Sequence, residues 1–249
     1  MLLHRPTSSK RQTAESPTSG WFRRIRARSA GALDTRCLAC GARGGRALCA
    51  ACFHDLPWND HACRYCALPL PDSPATLCGT CARRPPHFDV AHAAFGYGWP
   101  VDRLIRRFKF KADLAMGRIL ALALADYLDL HQLPRPDLLI PVPLHRRRLA
   151  ERGFNQSAEI ARVLGPRLET KTSFNGLIRL RDTPAQSGLD RAARLRNLRG
   201  AFACGAPVAG LRVAVVDDVI TTGSTVETLA DVLKRAGAAE VAIYAIARA

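Results

Sequence analysis

The chain has 249 residues, 48% of them hydrophobic, and a formal net charge of +16. That length suits one full domain plus a small module. No stretch reaches the about 18 to 20 unbroken apolar residues of a membrane-spanning helix, since the richest run, Leu114 to Leu130, is interrupted by Arg118, Asp126 and Asp129. The basic excess instead favours polyanionic partners: nucleic acid, phosphorylated metabolites or an anionic surface.

Residues 1–36 hold eight basic and two acidic side chains, are rich in Ser, Thr, Pro and Arg, and lack apolar periodicity. The expectation is a disordered basic N-terminal tail. It has neither the apolar core nor the small-residue cleavage site of a secretory signal, though its Arg and Ser content faintly echoes a transit peptide. The expected location is cytoplasmic. The segment Trp21-Phe22-Arg23-Arg24-Ile25-Arg26 combines aromatic and basic groups suited to nucleic acid or lipid; an inert solvated tail is the simpler reading.

Residues 37–86 form a cysteine module. Eight of the nine cysteines fall in four C-x-x-C pairs: Cys37/Cys40, Cys49/Cys52, Cys63/Cys66 and Cys78/Cys81. Each pair sets two sulfurs on one side of a tight knuckle, and two knuckles complete a tetrahedral four-sulfur zinc site. Two structural Zn²⁺ ions follow, in a double zinc-ribbon arrangement. Sequential pairing groups the first four and the last four cysteines; spacing alone does not exclude a cross-braced arrangement. An iron–sulfur cluster or redox dithiols are the rival uses of such ligands, and vicinal pairs argue against a secreted disulfide framework. Gly41 and Gly79 suit the turns. Eight thiolates with two Zn²⁺ shift the module's formal charge from +2 to −2 (−8 + 4 = −4), so zinc loading does not create a basic clamp. Without metal, about 50 residues bury too little to fold alone.

Arg83-Arg84-Pro85-Pro86 reads as a linker into a domain at 87–249. A strand is expected at 90–97, a helix at 101–108, and a helix from Leu114 to about Leu130. A strand at 138–142 runs into a proline-bounded loop and Arg146-Arg147-Arg148. A helix at about 155–164 and a strand near 176–178 follow. The continuous apolar run 212–216 is a strand buried on both faces; a helix at about 226–236 and a strand at 241–247 close the chain. Alternating strands and helices predict an α/β fold with a largely parallel sheet flanked by helices.

The chemistry concentrates at Asp217-Asp218-Val219-Ile220-Thr221-Thr222-Gly223-Ser224-Thr225. A buried strand enters two acids, then a loop rich in hydroxyls, then a helix. Free N–H groups at the helix start and the positive end of its dipole favour an anion. Gly223 permits close backbone approach, and Thr221, Thr222, Ser224 and Thr225 add hydroxyl donors. Asp217 and Asp218 suit ribose hydroxyls or a hydrated Mg²⁺. The segment is built for a sugar phosphate; an ordinary strand–loop–helix turn with a Thr cap is the bland alternative.

This segment resembles the phosphoribosyl pyrophosphate signature of type I phosphoribosyltransferases. The wider chain resembles the ComF family, including the GntX-like proteins associated with competence and DNA utilisation. The resemblance rests on the four C-x-x-C pairs, Leu104-Ile105 with Phe108-Lys109-Phe110, and Pro141-Val142-Pro143-Leu144. It continues through Arg148, Arg152-Gly153-Phe154-Asn155-Gln156-Ser157, Arg181, Thr183, Gln186, Arg194 and Asn197 to the phosphate loop. It implies a type I phosphoribosyltransferase-like domain that binds phosphoribosyl pyrophosphate with Mg²⁺. It assigns Leu144, His145, Arg146, Arg148 and Arg181 to the pyrophosphate, and a mobile loop to the stretch 179–199. For each arginine a solvated helix face is the alternative, and Lys109 and Lys111 are equally ambiguous. The resemblance further implies binding of single-stranded DNA, a role in DNA uptake or use, and contacts with DNA-uptake proteins. Phosphoribosyl transfer with release of pyrophosphate, or a ligand-regulated adaptor role, would use the same site. No nucleophile-binding or catalytic residue stands out; Phe154 and Trp99 are candidates for base stacking but are expected in the core.

Overall fold

The computed structural model describes residues 36–37, 40–43, 48–71, 75–182 and 196–249. Contacts group the chain into two compact units, Met1–Asp55 and Leu56–Ala249. The first four-cysteine ribbon lies in the first unit, and the second ribbon lies with the α/β domain in the other.

In the first unit an antiparallel bridge joins Arg36 to Arg43 around a turn closed by Gly41 N–H on the Cys37 carbonyl, 2.8 Å. Gly41 takes φ +74°, a left-handed conformation that costs glycine little. Helix α1 (Ala50–His54) begins at Cys49, whose sulfur accepts the Cys52 N–H. The second ribbon repeats the device: α2 (Gly79–Arg83) begins at Cys78, whose sulfur accepts the Cys81 N–H. Gly79 thus opens a helix and is not among the left-handed glycines of the described residues. Among the described residues of this ribbon the positive φ belongs to Ala67, at +55°.

The α/β domain has a five-stranded, wholly parallel sheet of β1 (Val90–Gly96), β2 (Leu138–Pro141), β3 (Lys171–Thr172), β6 (Arg212–Ile220) and β7 (Glu240–Arg248), in the order β1-β7-β6-β2-β3. Side chains alternate across each strand. One face, including Ile140, Val213, Val215, Val241 and Ile243, packs with Val226, Leu229, Ala230 and Leu233 of α7 (Ser224–Arg235). The alternate residues Leu139, Ala214, Val216 and Ile246 are buried as well, which is why these strands read as unbroken apolar runs. Helices α4 (Leu114–Leu130) and α6 (Gln156–Leu168) contact the sheet strands and each other. Helix α3 (Val101–Lys111) packs on α4, and Gly117 lets the Phe108 ring lie where a Cβ would stand 2.4 Å from it.

Three features depart from the sequence expectation. The strand near 178 forms as β4 (Leu177–Arg179), but it pairs antiparallel with β5 (Phe202–Cys204) in a separate two-stranded sheet. Close backbone approaches pin that hairpin: a Cβ at Gly205 would lie 2.5 Å from the Asn175 carbonyl oxygen. The arginines after β2 form a short helix, α5 (Arg146–Arg152), capped by His145 and ended by left-handed Gly153. Strand β6 continues to Ile220, so both acids sit within its paired length, Asp217 opposite Ala245 of β7.

Connectivity then locates the site. The chain leaves β2 towards edge strand β3 but leaves β6 the opposite way, towards β7. Adjacent parallel strands that diverge in this manner open a crevice at their carboxyl ends, the recurrent binding position of open α/β sheets. The Val142 N–H bonds the Val216 carbonyl at 2.9 Å and holds the two strand ends together there.

Candidate functional site

The acid pair is held from three sides. Asp217 accepts the Ser157 hydroxyl at 3.1 Å and the Asp218 N–H at 2.8 Å. Asp218, 3% exposed, accepts the Val219 N–H at 2.7 Å and pairs with Lys109 Nζ at 2.8 Å. Burial, then the adjacent Asp218 carboxylate, push Asp217 up to about 7, against Lys109 and its own hydrogen bonds. Desolvation and a like charge both disfavour its ionised form. Asp217 keeps part of its surface open, whereas Asp218 is closed off.

Ser157 reaches Asp217 because Asn155 builds the start of α6. The Asn155 Oδ1 accepts the N–H groups of Ser157 and Ala158, and its Nδ2 donates to the Val142 carbonyl at 3.0 Å. One side chain thus caps α6 and ties it to the end of β2. Arg152 bonds Gln156 Oε1 at 2.6 Å, and Phe154 packs on Phe108 with ring centroids 5.5 Å apart. The segment 152–157 and the Phe108-Lys109-Phe110 stretch therefore converge behind the acid pair. Sequence reasoning left Lys109 undecided and gave Ser157 no role; a hydroxyl two residues after a helix cap, within a motif, was the available signal.

Beyond the acids, Gly223 at φ +77° is the N-cap of α7 and supplies no side-chain cap. First-turn N–H groups of a helix have no intrahelical partner, and here the hydroxyls of Thr222 and Ser224, 3.1 Å apart, line the same turn. Ser224 is buried, Thr222, Gly223 and Thr225 are half-buried, and Thr221 is exposed. The loop therefore presents backbone donors, hydroxyls and a dipole end beside two carboxylates, an arrangement able to hold a phosphate and a vicinal diol together.

Residues 142–145 leave β2 beside this loop, with Leu144 and His145 half-buried. His145 Nδ1 accepts the Arg147 N–H at 3.4 Å and lies 3.7 Å from Asp182 Oδ1. Arg148 neighbours Arg179, whose guanidinium is depressed by burial first and then by Arg148, with Asp182 opposing. Arg179 also lies over the Phe202 ring, 5.4 Å from its centroid. The structure thus gathers His145, Arg148, Arg179 and Asp182, while Arg181 is engaged on the Arg199 carbonyl across the hairpin and Arg146 is exposed. Arg179 is the member of this group that the sequence reading used only as a loop boundary. Thr183, Gln186 and Arg194 lie outside the described residues, as do most of the N-terminal tail and its Trp21 to Arg26 segment. Trp99 does not sit in the core: it is 69% exposed just before α3, because the buried side of that helix is filled by Val101, Leu104, Ile105 and Phe108.

The sulfurs of Cys37, Cys40, Cys49 and Cys52 lie within 4.8 Å of one another, as do those of Cys63, Cys66, Cys78 and Cys81. The grouping is sequential. Zinc bonded to four sulfurs at about 2.3 Å places neighbouring sulfurs about 3.8 Å apart. The Cys40–Cys49 and Cys66–Cys78 separations are 3.8 and 3.7 Å, and no pair is bonded as a disulfide. Backbone N–H groups of Cys49, Cys52 and Cys81 point at the sulfurs of Cys37, Cys49 and Cys78. Both donor sets fit structural zinc, with all four positions filled by protein.

No helix among the described residues is long and apolar enough to cross a membrane. Residues 32–82 match the double zinc ribbon domain model and residues 203–249 the phosphoribosyl transferase domain model. The chain is 35% identical over 205 residues to the DNA utilization protein YhgH of Salmonella typhi, covering 81% of this chain and 90% of that protein. It is 34% identical over 226 residues to Competence protein F of Haemophilus influenzae, covering 86% and 97%. Among solved structures, glutamine phosphoribosylpyrophosphate amidotransferase from B. subtilis aligns at 23% identity with a TM-score of 0.34, over 52% of this chain and 26% of that one. With a double zinc ribbon, a helix-flanked parallel sheet ending in a phosphoribosyltransferase signature, and two long alignments above 30% identity, the chain belongs to the ComF family.

Proposed function

We propose that this protein has a ComF-like role in DNA uptake or utilisation, in which the crevice between β2 and β6 binds phosphoribosyl pyrophosphate. The observation that carries the reading is the acid pair Asp217/Asp218, buttressed by Ser157 and Lys109 and followed at once by the start of α7, where the N-cap Gly223 offers no side chain. In this reading the carboxylates accept the ribose hydroxyls. Thr221, Thr222, Gly223, Ser224 and Thr225 take the 5-phosphate, and Leu144, His145, Arg146, Arg148 and Arg181, joined by Arg179, face the pyrophosphate. Mg²⁺ bound with the ligand supplies charge neutralisation; Lys109 already neutralises Asp218, so Asp217 is the carboxylate left to respond to it. The division into tail, ribbon module at 37–86 and domain at 87–249 is part of the same proposal.

Single-stranded DNA is the second ligand in this reading. Support comes from the outer face of α3, where Arg103, Arg106, Arg107, Phe110 and Lys111 are all exposed. Phe110 is 67% exposed with Arg152 over its ring, and Trp99 stands before the first turn. Cations interleaved with open aromatic faces suit a phosphate backbone and stacked bases. Names of relatives, which include competence and DNA utilization proteins, agree with a nucleic-acid role and with DNA-uptake proteins as partners.

Calorimetric titration of phosphoribosyl pyrophosphate with Mg²⁺ tests the first part. Wild type is expected to bind, and Asp217→Asn/Asp218→Asn to lose binding altogether; equal binding by both proteins would discard the site. Fluorescence anisotropy with a labelled single strand tests the second, using zinc-loaded protein at low salt. Arg103→Glu/Arg106→Glu is expected to weaken binding at least tenfold without altering the sugar-phosphate titration.

A further inference from the structure

Arg248 ends β7 between Gly96 of β1 and Ile220 of β6, and its side chain joins two parts of the molecule that are remote in sequence. The Nε donates to the carbonyl of Cys66, a second-cluster ligand, at 3.0 Å. The Nη1 donates to the carbonyls of Ile220 at 3.2 Å and Thr221 at 2.5 Å, and also to the Ala249 carbonyl. Among the described residues no Asp or Glu side chain pairs with it. A guanidinium normally recruited for charge is here spent on backbone acceptors, and charge-assisted bonds of this kind are the stronger class.

Both ends of this connection are restrained. On the ribbon side, Ala67 is 2% exposed, left-handed at φ +55°, and packed in the same core cluster as Ile220 and Val226. Its carbonyl accepts Asn59 Nδ2 at 2.9 Å, and the Asn59 carbonyl accepts the Tyr127 hydroxyl at 3.1 Å. On the other side, Ile220 and Thr221 lead directly into Thr222 and the Gly223 cap of α7. The Cys66 carbonyl belongs to the residue whose sulfur lies 3.7 Å from that of Cys78. A metal held by these sulfurs fixes the carbonyl that Arg248 grips.

We propose that Arg248 is a positioning residue that couples the second cysteine cluster to the anion loop, so that metal at the cluster and sugar phosphate at the loop each favour the other. The proposal rests on the reading of loop 221–225 as a phosphate site. With the knuckle closed on its metal, the guanidinium holds the Ile220 and Thr221 carbonyls and so sets the turn that presents the first N–H groups of α7. When the knuckle opens, that grip is lost. Coupling between two sites is reciprocal, so the ligand must retain the metal by the same factor by which the metal improves ligand binding.

Two measurements on the full zinc-loaded chain test this. The first needs no ligand: amide hydrogen exchange at 220–224 is compared in wild type, Arg248→Gln and Arg248→Lys. The Gln variant is expected to exchange at least fivefold faster with its zinc content unchanged, and the Lys variant to fall between; unchanged exchange in both would overturn the positioning role. The second follows alkylation of cysteines during chelation, with peptides carrying Cys37 and Cys40 as the internal reference. Saturating phosphoribosyl pyrophosphate with Mg²⁺ is expected to slow modification of Cys63 and Cys66 about fivefold in wild type and not at all in Arg248→Gln, with Cys37 and Cys40 unaffected in both. Calorimetric binding by wild type without any such protection would overturn the coupling and leave the ligand reading standing. Absence of calorimetric binding would remove the ligand reading itself, and with it the coupling, while the exchange comparison still decides whether Arg248 shapes the loop.

Discussion

The two cysteine clusters share their ligands and their helix-capping sulfurs, yet they are embedded differently. Cys37, Cys40, Cys49 and Cys52 belong to the unit ending at Asp55, and of these only Cys37 is fully buried. Cys63, Cys66, Cys78 and Cys81 belong to the unit that contains the sheet, and three of the four are buried. Around the second cluster, Ala67 enters the α/β core, Trp58 packs on Phe95 at a centroid distance of 4.5 Å, and Arg248 grips Cys66. Identical metal chemistry can therefore close a small module in one place and act as part of a domain core in another. What separates the two is the neighbouring apolar surface and hydrogen bonding, not the ligands.

The largest expected effect is on that difference. Cys63→Ser/Cys66→Ser should lower the melting temperature of the α/β unit by roughly 4 to 20 °C, matching a loss of about 2 to 5 kcal/mol for a broken structural site. Cys37→Ser/Cys40→Ser should leave the same transition within about 2 °C. Differential scanning calorimetry of both variants distinguishes them, and equal losses would erase the distinction.

Gly117→Ala comes next. Its new Cβ meets the Phe108 ring at 2.4 Å, and overpacking of this kind costs about 1 to 3 kcal/mol, outweighing the gain of about 1 kcal/mol from alanine in a helix. Denaturant unfolding should show the loss, while chelator titration of either cluster stays unchanged. Gly223→Ala is smaller: it forces a left-handed residue at about 1 to 2 kcal/mol at the cap of α7. It should weaken phosphoribosyl pyrophosphate binding by up to roughly five- to thirtyfold by calorimetry.

The smallest effect is the pH response of the acid pair. The folded protein raises Asp217 to about 7, so it holds that proton more tightly than the unfolded chain does. The associated stability is present at low pH and is lost as pH rises through about 7. Between pH 6 and 8 wild type should lose about 1 kcal/mol relative to Asp217→Asn, read from denaturant midpoints at each pH. An identical pH profile in the two proteins would show that the acid pair is more open to water than its surroundings indicate.

The strands and helices were legible where the pattern is periodic: β6 and β7 are apolar on both faces, and α4 runs from Leu114 to Leu130 as expected. The hairpin β4–β5 was not, because three-residue strands carry no periodicity and their pairing is decided by contacts across 25 residues of chain. Trp99 was misread for a related reason. Large aromatics favour cores on average, but four other residues already fill the buried side of α3.

The sequence by itself determined the chemistry: eight sulfurs in C-x-x-C pairs, two acids before a hydroxyl-rich turn, and the alternation of strands and helices. These are local patterns, set by spacing along the chain and by the period of side-chain direction. Only the tertiary structure decided partnership. Lys109 meets Asp218 across 109 positions, Ser157 meets Asp217 across 60, and Arg248 reaches Cys66 across 182. Such contacts depend on strand order and helix packing, where a residue's neighbours are fixed by burial and backbone direction rather than by its place in the chain.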